Sequence, residues 1–368
     1  MKKKVFILLI TLVLVISTVM AGCSSTPEPA PAPAPAPAPQ PTQAAAPTIT
    51  LKYGDQNPDS GWEGSQAAQP WLDQITAATN GRVQFETYYA QSLFKGTDSW
   101  EAVKNGVGDM AWMFHGYWAN KTTLADVVSL PMMPFTSAKQ ASGILWQLYE
   151  KYPNLRKQFD ENHVLITWTS QPYFLITTNK QVKTLDDWKG LKIRVTSGPP
   201  IEMMKALGAT PVTMGMPDTY LGLERGTIDG MLVPWEAMLS FRHFEVVKYY
   251  TYAPLVTVYF TQAMNKNSWE KLPDDVKAQI ESVSGLQGSL FWGENMFDTA
   301  AAAGREEVKK LGLPMEEYTV PEEELDKWSE IAGQPLWDEW VKARTAEGFT
   351  EAQEILDTTI ELIKTYNP

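Results

Sequence analysis

Between residues 49 and 264, short runs that alternate apolar and polar positions take turns with longer runs of helical period. Ile49-Thr50-Leu51-Lys52-Tyr53 has a period of two, which gathers its apolar side chains on one face of a strand. Positions 66–79 carry apolar residues at helical spacing and stop at Asn80-Gly81, a pair suited to ending a helix. The same reading predicts strands at 82–89, 109–114, 164–169, 174–178, 227–233 and 256–264, and helices at 98–104 and 137–161, the latter interrupted at Pro153. Leu191, Ile193 and Val195 point to one side of another short strand, which runs into Gly198-Pro199-Pro200. Proline is tolerated in a first helical turn, so a helix is expected from there through Leu207. From Leu272 to Tyr366 the pattern is helical, broken near Pro314, Pro321 and Pro335. Strands alternating with helices predict an α/β fold with mostly parallel sheets. No internal repeat is visible.

The N-terminal end follows a different logic. Lys2, Lys3 and Lys4 precede an apolar run from Val5 to Met20, and Met20-Ala21-Gly22-Cys23 reads as a lipoprotein processing site, with Met20 where leucine is more usual. Residues 1–22 are therefore expected to be a signal peptide. Cys23 is the only cysteine, so it has no internal disulfide partner, and lipidation gives it a role. Residues 23–47 are expected to be the lipidated cysteine followed by a Pro/Ala stalk, with proline at every second position from Pro29 to Pro39. That spacing blocks helix and sheet bonding and favours polyproline II, reaching on the order of 60 Å. The remaining length, about 320 residues, suits two domains of moderate size.

Charge narrows the partners. Without the signal peptide the chain has 28 basic and 43 acidic residues, a net −15, which argues against nucleic acid and anionic membrane surfaces. Scattered surface charge is screened beyond about 8 Å at physiological salt, so one arginine in a dehydrated cleft can still select an anion. Arg194, delivered by the 191–195 strand just before the Gly-Pro-Pro break, is placed to grip a planar anion with two parallel hydrogen bonds. The competing reading is a surface arginine in an ordinary ion pair.

The segments around Arg194 narrow the choice. Thr177-Thr178-Asn179-Lys180, then Val182-Lys183-Thr184-Leu185-Asp186-Asp187-Trp188-Lys189-Gly190-Leu191-Lys192-Ile193-Arg194-Val195, resemble the solute-binding proteins of TRAP transporters. Leu207-Gly208-Ala209-Thr210-Pro211, Tyr220 through Gly226, Ile228-Asp229-Gly230 and Pro234-Trp235-Glu236 extend the resemblance, which runs over roughly residues 50–300. The resemblance implies an extracytoplasmic, two-lobed receptor with a type II-like periplasmic-binding-protein fold. It implies a first lobe of 48–171 plus about 259–300 and a second of 172–258 plus about 301–368. The chain would cross between lobes near Ser170-Gln171-Pro172 and near Val258-Tyr259, forming a hinge. Such a receptor closes on an organic acid, clamps its carboxylate with Arg194, and presents it to the two integral-membrane subunits of the transporter.

Further site residues follow from the resemblance. Phe174 stands where relatives often carry a second arginine, and Val233 where some use Asn or Glu; an aromatic ring there suits an apolar ligand body. Trp235 is expected to stack on the ligand. Phe114, His115, Tyr117 and Trp118 leave the 109–113 strand toward the cleft, and Asn57 faces it from the first loop. One arginine with Phe174 and Trp235 favours an aromatic or apolar monocarboxylate, such as a 2-oxo, indole or phenyl acid; a C4-dicarboxylate or a sugar acid is the alternative. His115, His163 and His243 lack metal-ligand spacing, and Pro234 occupies the position where cation-using relatives carry an acidic residue, so neither metal nor cofactor is expected. No Gly-x-Ser-x-Gly, Walker loop or Gly-x-Gly-x-x-Gly is present, so a receptor is favoured over an enzyme. A structural or adhesive lipoprotein is the other class, which the stalk would suit.

Overall fold

The computed structural model describes residues 47–368. The expected signal peptide, Cys23 and nearly all of the stalk lie outside the described residues. Eleven strands occur within them: β1 (Ile49–Gly54), β2 (Val83–Tyr88), β3 (Met110–Phe114), β4 (His163–Thr169), β5 (Tyr173–Thr177), β6 (Lys192–Arg194), β7 (Thr210–Val212), β8 (Gly230–Val233), β9 (Tyr249–Val256), β10 (Tyr259–Met264) and β11 (Glu316–Thr319). They form two sheets, a five-stranded one in the order β2-β1-β3-β10-β4 and a six-stranded one in the order β11-β9-β5-β8-β6-β7.

Both sheets are mixed, where the strand–helix alternation predicted mostly parallel ones. β1, β2 and β3 run parallel, and β10 lies antiparallel between β3 and β4. In the second sheet β6, β7 and β8 run parallel, β5 lies antiparallel between β8 and β9, and β11 runs parallel to β9. The inverted strands β5 and β10 are the two by which the chain enters one sheet directly from the other. Their connections, 170–172 and 257–258, lie side by side: the Ser170 N–H donates to the Val258 carbonyl (2.8 Å), and the Val258 N–H donates to Ser170 Oγ (3.1 Å). The single strand predicted over 256–264 is thus the end of one strand, a crossing, and the start of another.

A third connection is helical. Gly285–Trp292, the π-helical Gly293–Asp298 and Thr299–Lys310 follow without a break. The first part packs on β4 and on helix Ala138–Lys151, and the last on helix Trp235–Ser240 beside the second sheet. Asp298, in the π turn, accepts the Ala138 and Lys139 N–H groups (2.8 and 2.9 Å), capping the helix it crosses. Ser137 Oγ accepts the Gln140 N–H (3.0 Å) in the same first turn. The long helix predicted over 137–161 is realised as Ala138–Lys151 and Pro153–Lys157, broken at the proline.

Beyond the third connection the expected map needs correcting. The helical run after Leu272 contains β11, a short polar edge strand. The last helix, Ala352–Thr365, packs against Ala138–Lys151, where Gln140 Nε2 donates to the carbonyls of Ile363 and Tyr366 (3.0 Å each). Its apolar face covers the outside of the first sheet's helical layer, so residues 301–368 do not all belong with the second sheet.

Candidate functional site

β6 ends at Arg194, paired on one side with Val212 of β7 and on the other with Met231 of β8. The side chain is only 1 % exposed. Nε and Nη2 both donate to the Met214 carbonyl (3.3 and 3.2 Å), whereas Nη1 is buried without a partner. Among the described residues no carboxylate lies within ion-pair distance of this guanidinium. Burial lowers its pKa, yet a guanidinium stays charged in a protein. A buried, unpaired cation is costly, and an anionic group meeting Nη1 would relieve that cost.

Two loops from opposite sheets meet beside it. After β3, the Gly116 carbonyl accepts from both the N–H and Oγ of Ser197 (2.9 and 2.8 Å), just past Arg194. The Tyr117 hydroxyl accepts the Met216 N–H (2.9 Å) and donates to Gln56 Oε1 (2.7 Å) after β1. Gly116 is needed at this meeting: a Cβ there would sit 2.7 Å from Thr196 Cβ and 2.4 Å from the Phe114 ring. Gly198, with φ +81°, turns the chain into helix Pro199–Ala206.

Beneath these loops lies a cavity walled by Trp112, Phe114, Tyr173, Phe241, Phe260 and Met296 and edged by Gln56, Asn57 and Glu236. At about 20 Å³ it holds one water and no organic acid. A second cavity of about 380 Å³ lies along Arg194, Tyr117, Ser197, Ile201 and Met214. Tyr117 lines the second and is bonded to Gln56 of the first. The Tyr173 hydroxyl is held well above its ordinary pKa, chiefly by burial, and feels Arg194 and Glu236 with opposite sign.

The acidic edge is a cluster. Asp55 Oδ2 accepts from the Tyr53 hydroxyl (2.6 Å), and Oδ1 accepts from the Asn57 N–H and Nδ2 (2.8 and 2.9 Å). Glu236 Oε1 accepts from Ser240 Oγ (2.8 Å). Glu63 stands beside Asp55 and Asn57, yet neither of its oxygens makes a hydrogen bond of ordinary geometry. Burial dominates all three, raising Asp55 to about 6, Glu236 to about 7 and Glu63, with Asp55's charge adding to it, well above the carboxylate range. Among the described residues no group of three or more His, Cys, Asp or Glu side chains is disposed to hold a metal ion.

The sequence-predicted residues divide. Asn57 and Phe114 line the aromatic cavity, and Tyr117 stands beside Arg194. Phe174 and Trp235 do not wall it, which corrects the expectation: they pack against one another at a tilt (ring centroids 5.1 Å apart) and against Tyr250 and Tyr252 in the second sheet's own core, where Val233 also lies. Successive strand residues point to opposite faces, so Tyr173 takes the site face of β5 that Phe174 was expected to take. At the start of helix Trp235–Ser240, Glu236 rather than Trp235 faces the cavity. His115 also turns inward. Its ring nitrogens engage the Thr122 and Thr261 hydroxyls (3.0 and 2.6 Å), it stacks on Tyr259, and burial lowers its pKa to about 3. Trp118 donates to the Thr97 carbonyl (2.8 Å) and packs edge-on against Trp100. Gln56, Tyr173 and Glu236 were missed; their one sequence signal is adjacency to predicted site residues.

The sequence pattern of the family described as "Bacterial extracellular solute-binding protein, family 7" matches residues 54–343. A TRAP solute-binding protein from Rhodoferax ferrireducens T118, solved with copurified benzoate, superposes with a TM-score of 0.81 at 31% identity, covering 86% of this chain and 98% of that one. A marine metagenome TRAP solute-binding protein specific for aromatic acid ligands, solved with 3-hydroxybenzoate, gives 0.81 at 27% identity, covering 88% and 100%. In sequence the chain is 25% identical over 292 residues to the outer membrane transporter protein TsaT of Comamonas testosteroni, 78% of this chain and 84% of that protein. With the mixed two-sheet architecture and its paired crossings, these findings place the chain: it belongs to family 7 of the bacterial extracellular solute-binding proteins and has the two-lobed fold of TRAP transporter receptors.

Proposed function

We propose that this receptor binds an aromatic or apolar monocarboxylate, with the carboxylate on Arg194 and the ring among Trp112, Phe114, Phe241 and Phe260. The observation that carries the reading is the buried Arg194 guanidinium, whose Nη1 has no partner while a cavity walled by aromatic rings lies close by. A carboxylate there gains charge-assisted hydrogen bonds, and ring burial adds roughly 25 cal/mol per Å² of apolar area. A second carboxylate would meet Glu236, with Asp55 behind it, so dicarboxylates are disfavoured. The related receptors solved with benzoate and 3-hydroxybenzoate support the same class. The small cavity implies that ligand enters when the two sheets part about the crossings at 170–172 and 257–258, and is then enclosed.

Calorimetric titration tests the reading. Benzoate or phenylacetate should bind, succinate and glucuronate much more weakly, and Arg194→Ala should abolish binding at unchanged secondary structure. Arg194→Lys should also lose at least about tenfold, because a point charge does not reproduce the fork. Binding of benzoate by Arg194→Ala within about threefold of wild type would remove the clamp from the account. The remaining expectations belong to the same proposal: no catalysis, hand-over to two membrane subunits, and anchoring through lipid on Cys23. Fatty-acid labelling that marks Cys23→Ser as strongly as wild type would refute the anchor.

A further inference from the structure

We infer that the preferred ligand carries a hydrogen-bond donor on its ring, a hydroxyl or amino group, which the Glu236 carboxylate receives inside the aromatic cavity. The inference rests on the monocarboxylate reading and names its substrate class more narrowly. The acid cluster alone would not support it. Three further observations do: the cluster edges a cavity with aromatic walls, Tyr173 of that wall feels both Glu236 and Arg194, whose buried Nη1 is unpartnered, and the three acids differ in how well they are satisfied.

Asp55 already accepts three hydrogen bonds, and Glu63 is buried beside Asp55, away from the cavity wall. Glu236 is the one acid of the three that lines the cavity; Ser240 Oγ donates to its Oε1 and the Glu63 backbone N–H also bears on the carboxyl. A carboxylate has about four acceptor sites, so part of this group's capacity is unused. Glu236 is already buried, and an unsubstituted ring beside it leaves its free acceptor sites unmet. A ring hydroxyl donates one short charge-assisted bond at the same place. Sites built this way discriminate strongly against the analogue that lacks the hydroxyl, because the buried partner is left unpaired. Aromatic walls fix the ring plane while Arg194 and Glu236 take its two polar substituents, so the pair would read the spacing between carboxylate and donor.

The test is calorimetric titration of the whole protein with benzoate, 3- and 4-hydroxybenzoate, 3-aminobenzoate and the two matching methoxybenzoates. At least one donor-bearing acid should bind about tenfold or more tighter than benzoate, and its methoxy counterpart should lose that gain. Glu236→Gln should cut the advantage, read as the ratio of the two affinities within the variant, to below about threefold, since an amide keeps the shape and loses the charge. Benzoate binding as tightly as every donor-bearing acid, or an advantage undiminished in Glu236→Gln, overturns the inference and leaves the Arg194 reading standing. Failure of all the benzoates, with succinate binding, overturns both. Should Glu236→Gln not fold, the hydroxy-versus-methoxy comparison on wild type decides alone.

Discussion

Arg194 and Phe174 show how far a single residue can be read without its neighbours. A guanidinium at a strand end before a Gly-Pro-Pro break is visible in the sequence, and the structure adds the unpartnered Nη1. Phe174 was equally visible, but its direction was not. Every residue of β5 is buried, so no polar–apolar alternation marks which face meets the site. The phase is set instead by the antiparallel register with β8, which puts Phe174 opposite Val233 in the second sheet's core. Phe174→Ala should therefore cost stability, about 3–5 kcal/mol for a buried phenylalanine, and leave benzoate affinity within about threefold. Denaturant unfolding beside calorimetry separates the two. A large affinity loss without destabilisation would return Phe174 to the pocket.

At the scale of elements, the strongly periodic pieces were legible from their pattern, whereas the two crossings, found at 170–172 and 257–258, were placed by the family resemblance and have no mark in periodicity. β1, β3, β4 and the Leu191/Ile193/Val195 alternation appear close to where they were expected. Most of β9, residues 249–255, was not predicted, and its last residue Val256 was joined to β10 because Thr257 and Val258 are buried like their flanks and nothing in composition marks a change of sheet. β11 was missed because an edge strand of sequence Glu-Glu-Tyr-Thr has neither apolar run nor alternation. The site depends on another element junction, the contact of the β3 and β6 loops through Gly116 and Ser197. Gly116→Ala sets a methyl against the Phe114 ring and Thr196 Cβ, where there is no room for it, so the loops must separate and the Ser197 hydrogen bonds weaken. Benzoate affinity should fall at least about tenfold, and small-angle scattering at saturating benzoate should show a larger radius of gyration than wild type. An unchanged affinity and radius would mean that closure does not run through this contact.

For the molecule as a whole, buried titratable groups set how stability varies with pH. Glu63, Asp55, Glu236 and Asp126 have raised pKa values, the last two about 7, all chiefly through burial. A raised acid is protonated in the folded chain while it is ionised in the unfolded one, so its stabilisation is complete below its unfolded pKa and lost as pH climbs through the folded value. His115, His163 and His243 act in the opposite sense. Burial lowers them to about 3, 4 and 3, so stability rises with pH until the unfolded histidines finish titrating near 6.5. Below that point the two sets oppose one another, and the profile should be shallow. Above it the histidine contribution fades while the acids still titrate, and Glu63, raised well above the carboxylate range by burial and by the charges of Asp55 and Glu236, carries the fall to higher pH. The melting temperature should therefore fall between about pH 6.5 and 8, by several degrees. Glu63→Gln keeps the shape of the neutral carboxyl and removes its proton from the balance, so this fall should become distinctly smaller while the acid side of the profile moves less. Surface self-repulsion from the chain's excess of acidic residues also grows with pH, but it is common to both proteins and drops out of the comparison. Equal falls in wild type and Glu63→Gln over that interval would show that the buried carboxyl is not what the alkaline limb reports.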